Sequence, residues 1–108
     1  MSESGKRVAV VLAANYEDIE ATSPIEALEQ AGADVTVIGI QTGAISGKKG
    51  GSIDATETFA SVRPEDFDLL LIPGGGSPEN LRIHDAAVEF TRTFANTGKP
   101  VAAICHGA

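Results

Sequence analysis

A continuous apolar run, Val8-Ala-Val-Val-Leu-Ala-Ala14, constrains this chain more than any other stretch. Without alternation between apolar and polar positions, such a run reads as a strand buried on both faces, the habit of a parallel sheet. A helical pattern follows from Glu17, with Ile19, Ile25 and Leu28 beside Ala21, Ala27 and Ala31, and Gly32 is a natural stop. Thr22-Ser23-Pro24 interrupts it near its start, so a kinked helix or two successive starts are expected. Asp34-Val-Thr-Val-Ile-Gly-Ile40 is then a second strand. Two strands joined by one helix form a βαβ unit, which implies a parallel sheet and a right-handed crossover.

Past Ile40 the texture changes. Gly43, Gly47, Gly50 and Gly51 surround Lys48-Lys49, and the alternating stretch from Ser52 to Thr58 suggests a small peripheral antiparallel hairpin over 41–61. The Lys48-Lys49-Gly-Gly sequence lacks the Gly-Lys-Ser/Thr ending and the strand-to-helix context of a phosphate loop, so no nucleotide is assigned to it. Val62 to Asp66 reads as a turn, and Asp68-Leu-Leu-Leu-Ile-Pro73 as a third parallel strand running into Gly74-Gly-Gly-Ser-Pro78. Glycines there leave backbone amides open to an anionic oxygen. A single helix is predicted over 79–96, with Leu81, Ile83, Ala87, Val88, Phe90 and Phe94 on its apolar stripe. His84 lies in a polar stretch of it, without partners at metal-ligand spacing, and reads as a surface residue.

The chain then reaches Pro100-Val-Ala-Ala-Ile-Cys-His-Gly-Ala108. Val101 to Ile104 reads as a buried fourth strand that delivers Cys105 onto a His-Gly step, the sequence form of a nucleophile elbow. A cysteine at the end of an apolar strand is by default a small, inert core residue. His106 beside it and the upstream glycines favour a reactive thiolate instead. Topology supports this reading, because ligands of open parallel sheets bind outside the carboxyl ends of the strands. Three features occupy such ends: Glu17 to Glu20, Gly74 to Pro78, and Cys105-His106. A thiolate, an acid and free amides are the parts of covalent carbonyl chemistry.

Composition narrows the remaining classes. At 108 residues and 43% hydrophobic, the chain supports one core and one domain. Its net charge of -7 argues against nucleic acid or anionic membrane as a partner. The single cysteine cannot form an internal disulfide, which fits a cytoplasmic location, and no apolar run is long enough for a membrane span. No metal or cofactor is called for by these residues.

Taken together, Tyr16-Glu-Asp-Ile-Glu20, Pro24, Leu69-Leu-Leu-Ile-Pro-Gly-Gly75, Pro78-Glu79 and Gly98-Lys-Pro-Val-Ala-Ala-Ile-Cys-His-Gly107 strongly resemble the PfpI family of intracellular cysteine hydrolases. That family lies within the DJ/PfpI, or class I glutamine amidotransferase-like, superfamily. The resemblance implies a flavodoxin-like three-layer α/β sandwich, a homodimer or higher homo-oligomer, and peptidase, deglycase or glyoxalase-like action on peptides or carbonyl adducts. It makes Cys105 the nucleophile and His106 its partner, with Glu20 and less directly Glu17 reaching the thiol within the subunit. Glu79 matches the triad acid contributed by a neighbouring subunit, and Gly75 with the amide of His106 matches the oxyanion hole. Read from their places alone, Glu17, Glu20 and Glu79 are also ordinary helix-start acids that complement a dipole. Because such chains continue further, residues 1–108 are expected to be the N-terminal part of one domain, ending just after the elbow and leaving one sheet edge bare. The rival reading is a non-catalytic stress protein, with Cys105 a redox sensor or the chain a chaperone. A glutaminase is disfavoured, because its histidine would come from far downstream.

Overall fold

In the computed structural model, which describes residues 5–74 and 77–103, with the backbone alone for Glu20, Pro78 and Glu79, the expected βαβ unit is present. Strand β1 (Arg7–Val11) leads through helix α1 (Asp18–Gln30) into β2 (Asp34–Gly39). The hairpin strands β3 (Gly43–Ser46) and β4 (Ser52–Ala55) follow, then the short β5 (Glu57–Thr58). A 3-10 turn over Pro64–Asp66 precedes β6 (Leu69–Ile72), helices α2 (Ser77–Arg82) and α3 (Asp85–Asn96), and β7 (Val101–Ala103).

The main sheet has the order β5-β2-β1-β6-β7, and every neighbouring pair is parallel. Strands β2 and β6 flank β1 on opposite sides, so the connections diverge there. That divergence opens a crevice at the carboxyl ends of β1 and β6, where α/β sheets bind ligands.

Alternation along β1 builds two cores. Ala9, Val11 and Ala13 face one side, with Phe67, Leu70, Leu81, Ala87, Phe90 and Phe94. Val8, Val10 and Leu12 face the other, with Tyr16, Ala21, Val37, Ala55 and Leu71. With α1 and α3 supplying the flanks, the result is the expected three-layer sandwich. Phe90 meets Phe59 and Phe67 edge-on, at ring-centre distances of 5.6 and 6.3 Å. Edge-to-face pairs gain about 0.5–1.5 kcal/mol beyond burial alone. Lys99 Nζ donates to the carbonyl of Phe67 at 2.6 Å and lies over the Phe94 ring, fastening the start of β7 to the segment before β6.

Several sequence expectations are corrected. Helix α1 begins once and continues through Pro24, so a second start is not found there. Pro24 deprives the helix of the N–H that would bond the carbonyl four residues back; separately, the Thr22 hydroxyl donates to the Asp18 carbonyl at 2.9 Å. Ile19 is 68% exposed, so the apolar face rests on Ala21, Ile25 and Leu28 instead. The predicted 79–96 helix is two helices: α2 starts two residues early, and the chain breaks at Ile83-His84 before α3. The break turns Ile83 out to solvent at 76% exposure, because the helical period does not carry across it. The peripheral hairpin is present as β3 and β4, but Glu57–Thr58 leaves it and pairs with β2 in the main sheet. Finally, β7 is exposed at all three residues rather than buried, since it is an edge strand bonded to β6 alone among the described residues. Gly32 closes α1 at φ 95, the left-handed conformation that only glycine adopts without cost. Among the described residues, no helix is long and apolar enough to cross a membrane.

Candidate active site

The carboxyl ends of β1 and β6 are tied together by direct bonds. The Glu17 N–H donates to the Gly74 carbonyl at 3.0 Å, joining the entry to α1 with the glycine turn after β6. The Ala13 N–H donates to Ser77 Oγ at 2.9 Å, and the hydroxyl is fully buried. Asn80 Nδ2 donates to the Ala14 carbonyl at 2.8 Å. The first strand's exit is therefore stitched to α2 at two adjacent residues, Ala13 and Ala14, although α2 lies more than sixty positions away.

Glu17 is the acid that this stitching buries, with 7% of its surface exposed. A carboxylate removed from water needs a compensating charge. Lys48 Nζ lies 3.6 Å from Oε1, and Lys49 Nζ lies 3.4 Å from Oε2. Both lysines come from the turn between β3 and β4. That turn is fixed by Asp18: one carboxylate oxygen accepts the Lys49 N–H at 2.9 Å and the other the Gly51 N–H at 2.7 Å. The donated amides, Lys49 first, hold the Asp18 carboxyl below its usual range, and the Lys49 charge adds to them against a smaller opposing effect of burial. Lys48 N–H donates to the Tyr16 carbonyl at 2.9 Å, and Asn15 N–H to Ser46 at the same distance, completing the attachment. Asn15 itself has φ 68, the one left-handed non-glycine among the described residues, and asparagine tolerates that conformation best.

Beneath the turn sits Tyr16, fully buried, its hydroxyl without a hydrogen-bond partner among the described residues. Burial pushes its hydroxyl pKa up, and the neighbouring Asp18 charge pushes it the same way.

Two depressions flank these contacts. One, of about 570 Å³, is lined by Leu12, Ala13, Gln41, Ser46, Asn80 and His84 among others. The second, of about 350 Å³, is mostly apolar and lies between β1, β6 and the helices α2 and α3. His84 is exposed, as expected for a surface residue.

Of the predicted site residues, Glu17 is placed in full. Glu20 lies in the first turn of α1 and Glu79 in α2, and their side chains lie outside the described residues, as do Gly75, Cys105 and His106 altogether. Ala103, the last described residue of β7, pairs with Ile72, two residues before Gly74. Sequence reasoning did not single out Lys48 and Lys49 as partners of Glu17. Their contact spans more than thirty positions, and only the Gly-Lys-Lys-Gly-Gly composition marked the turn. Ser77 went unremarked too, although Ser-Pro is a recognised helix-start signal.

Comparison with known proteins agrees with this fold. Residues 6–108 match the profile of the DJ-1/PfpI family. The chain is 46% identical over 104 residues to "Protein/nucleic acid deglycase 2" of Escherichia coli, covering 94% of this chain and 60% of that protein. It is 46% identical over 105 residues to "General stress protein 18" of Bacillus subtilis, covering 95% and 61%. Among solved structures, a two-domain protein from Anabaena variabilis with DJ-1/ThiJ/PfpI-like and ferritin-like domains superposes with a TM-score of 0.89 at 36% identity, covering 94% of this chain and 30% of that one. The chain thus spans about three fifths of the length of these curated relatives.

Proposed function

Because the chain belongs to the DJ-1/PfpI family, we propose that it carries the nucleophile-bearing part of a cysteine-dependent hydrolase acting on peptides or carbonyl adducts in stress protection. Cys105 is the nucleophile and His106 its proton partner. Glu20 orients the thiol, with Glu17 behind it, and the amides of Gly75 and His106 receive the oxyanion. Glu79 serves a neighbouring subunit's site, so the working protein is a homodimer or larger homo-oligomer, located in the cytoplasm. The sulfur adds to the substrate carbonyl carbon, and the oxygen takes the electron pair of the broken π bond. His106, carrying the proton taken from the Cys105 thiol, gives it to the nitrogen as the carbonyl double bond re-forms and the C–N bond breaks, and water then hydrolyses the thioester, releasing the acid and restoring the thiol.

The observation that carries this reading is the Glu17 N–H bond to the Gly74 carbonyl at 3.0 Å. It joins an acid-bearing helix start to a glycine turn at the crevice where the sheet's connections diverge. Names of relatives lend support, since one of them is a protein and nucleic acid deglycase. The test compares turnover of methylglyoxal adducts and of peptides by the wild type and by Cys105→Ser. Loss of turnover in the variant is expected; equal rates would overturn the hydrolase reading and leave the redox-sensing or chaperone alternative.

A further inference from the structure

The two lysines beside Glu17 have donors to spare. Each ammonium carries three N–H groups. Charge-assisted N–H···O bonds run at about 2.7–2.9 Å, whereas the separations from Glu17 are 3.6 and 3.4 Å. Attraction to one buried carboxylate therefore aims both side chains without consuming their hydrogen-bonding capacity among the described residues. The other nearby acid, Asp18, is committed, since both of its oxygens accept backbone amides of the same turn. Lys48 and Lys49 stay 50% and 73% exposed at the side chain, within reach of a solute.

The backbone that carries them is held firmly. Gly47 and Gly51 lie so close to Asp18 that a Cβ at either would collide with its carboxylate. Gly47 also bridges to Tyr16. Two cations on a fixed turn that follows directly on Ser46, the strand residue lining the larger depression, and facing one carboxylate make a preorganised anion receptor.

We propose that Lys48 and Lys49 form an anion-recognising pair beside Glu17, selecting substrates that carry a carboxylate or phosphate. This rests on the hydrolase reading and narrows its substrate class. Because both ammonium groups are solvated, the preference is moderate and falls as salt is raised.

The experiment uses the full protein and two methylglyoxal adducts that differ in one charge, those of N-acetyl-arginine and N-acetyl-arginine amide. A second pair compares the amide adduct extended by phosphoserine or by serine. The wild type is expected to favour each anionic member, and K48Q/K49Q to lower the anionic-to-neutral ratio of kcat/KM by about fivefold, the scale of exposed ion pairs. K48R/K49R should restore that ratio. Discrimination within one pair alone supports the proposal and identifies which anion is read. A purely structural role would lower both members together, so an unchanged ratio overturns the proposal. Should the wild type turn over neither these adducts nor peptides, the hydrolase reading fails instead. Chemical-shift titration of Lys48 and Lys49 with acetate and inorganic phosphate then decides the lysine proposal alone: saturable shifts support it, and their absence overturns it.

Discussion

Asp18 Oδ2 accepts the backbone N–H of Gly51 at 2.7 Å across 33 positions of sequence, so the start of α1 holds the lysine-bearing turn in place. The second oxygen takes the Lys49 amide, and together these bonds lower the Asp18 carboxyl from its ordinary 3.8. A carboxyl lowered in the folded state contributes stability that is complete above the unfolded value and is lost as pH falls through the folded one. Asp18→Asn should therefore lower Tm at neutral pH, and the gap to the wild type should close under acid below about pH 4. Thermal denaturation of both proteins across that range checks the prediction. A gap independent of pH would mean that the carboxylate's charge is irrelevant to the turn.

Gly47→Ala tests how tightly the turn is seated. A Cβ there would lie 2.5 Å from Asp18 Oδ1 and 2.8 Å from Tyr16 Cε1, and Asp18 cannot retreat without releasing its two amides. Overpacking of this kind costs about 1–3 kcal/mol. Urea denaturation should show a lower midpoint with an unchanged slope.

Ser77→Ala removes the buried acceptor of the Ala13 amide. An amide stranded without water or partner costs about 1–3 kcal/mol. Faster hydrogen exchange at Ala13 should accompany the lower stability; exchange unchanged from the wild type would show that another acceptor takes over.

Tyr16→Phe points the other way. The hydroxyl is buried and unpartnered among the described residues, so deleting it removes a desolvated group and no hydrogen bond seen there. Stability should hold or rise by about 1 kcal/mol. A clear fall in the denaturation midpoint would reveal a partner for the phenol.

The strands were the most legible part of this protein. Continuous runs at Val8 to Ala14 and Leu69 to Ile72 read as strands of a parallel sheet covered on both faces, and Val8 to Ala13, Leu70 and Leu71 are buried in one. Gly32 marked its helix end for a similarly local reason, the φ it alone adopts cheaply. The break at Ile83-His84 was missed because a 3.6-residue period survives a short break in sequence but not in space, whereas Pro24 was over-read as an interruption although the helix continues through it. The site was half legible: the residue types at strand ends were apparent, while the pairing of Glu17 with Lys48 and Lys49 was not.

What the sequence determined by itself is the set of local preferences: apolar runs that must be buried, glycines at positive φ, and a lone cysteine on a Cys-His-Gly step. Tertiary structure alone decided which acid is buried and which cations answer it, and that Glu57–Thr58 joins the main sheet. The physical reason is range. Burial pattern and backbone conformation are fixed by neighbours a few residues away, but charge pairing and strand order depend on segments brought together only when the sheet assembles.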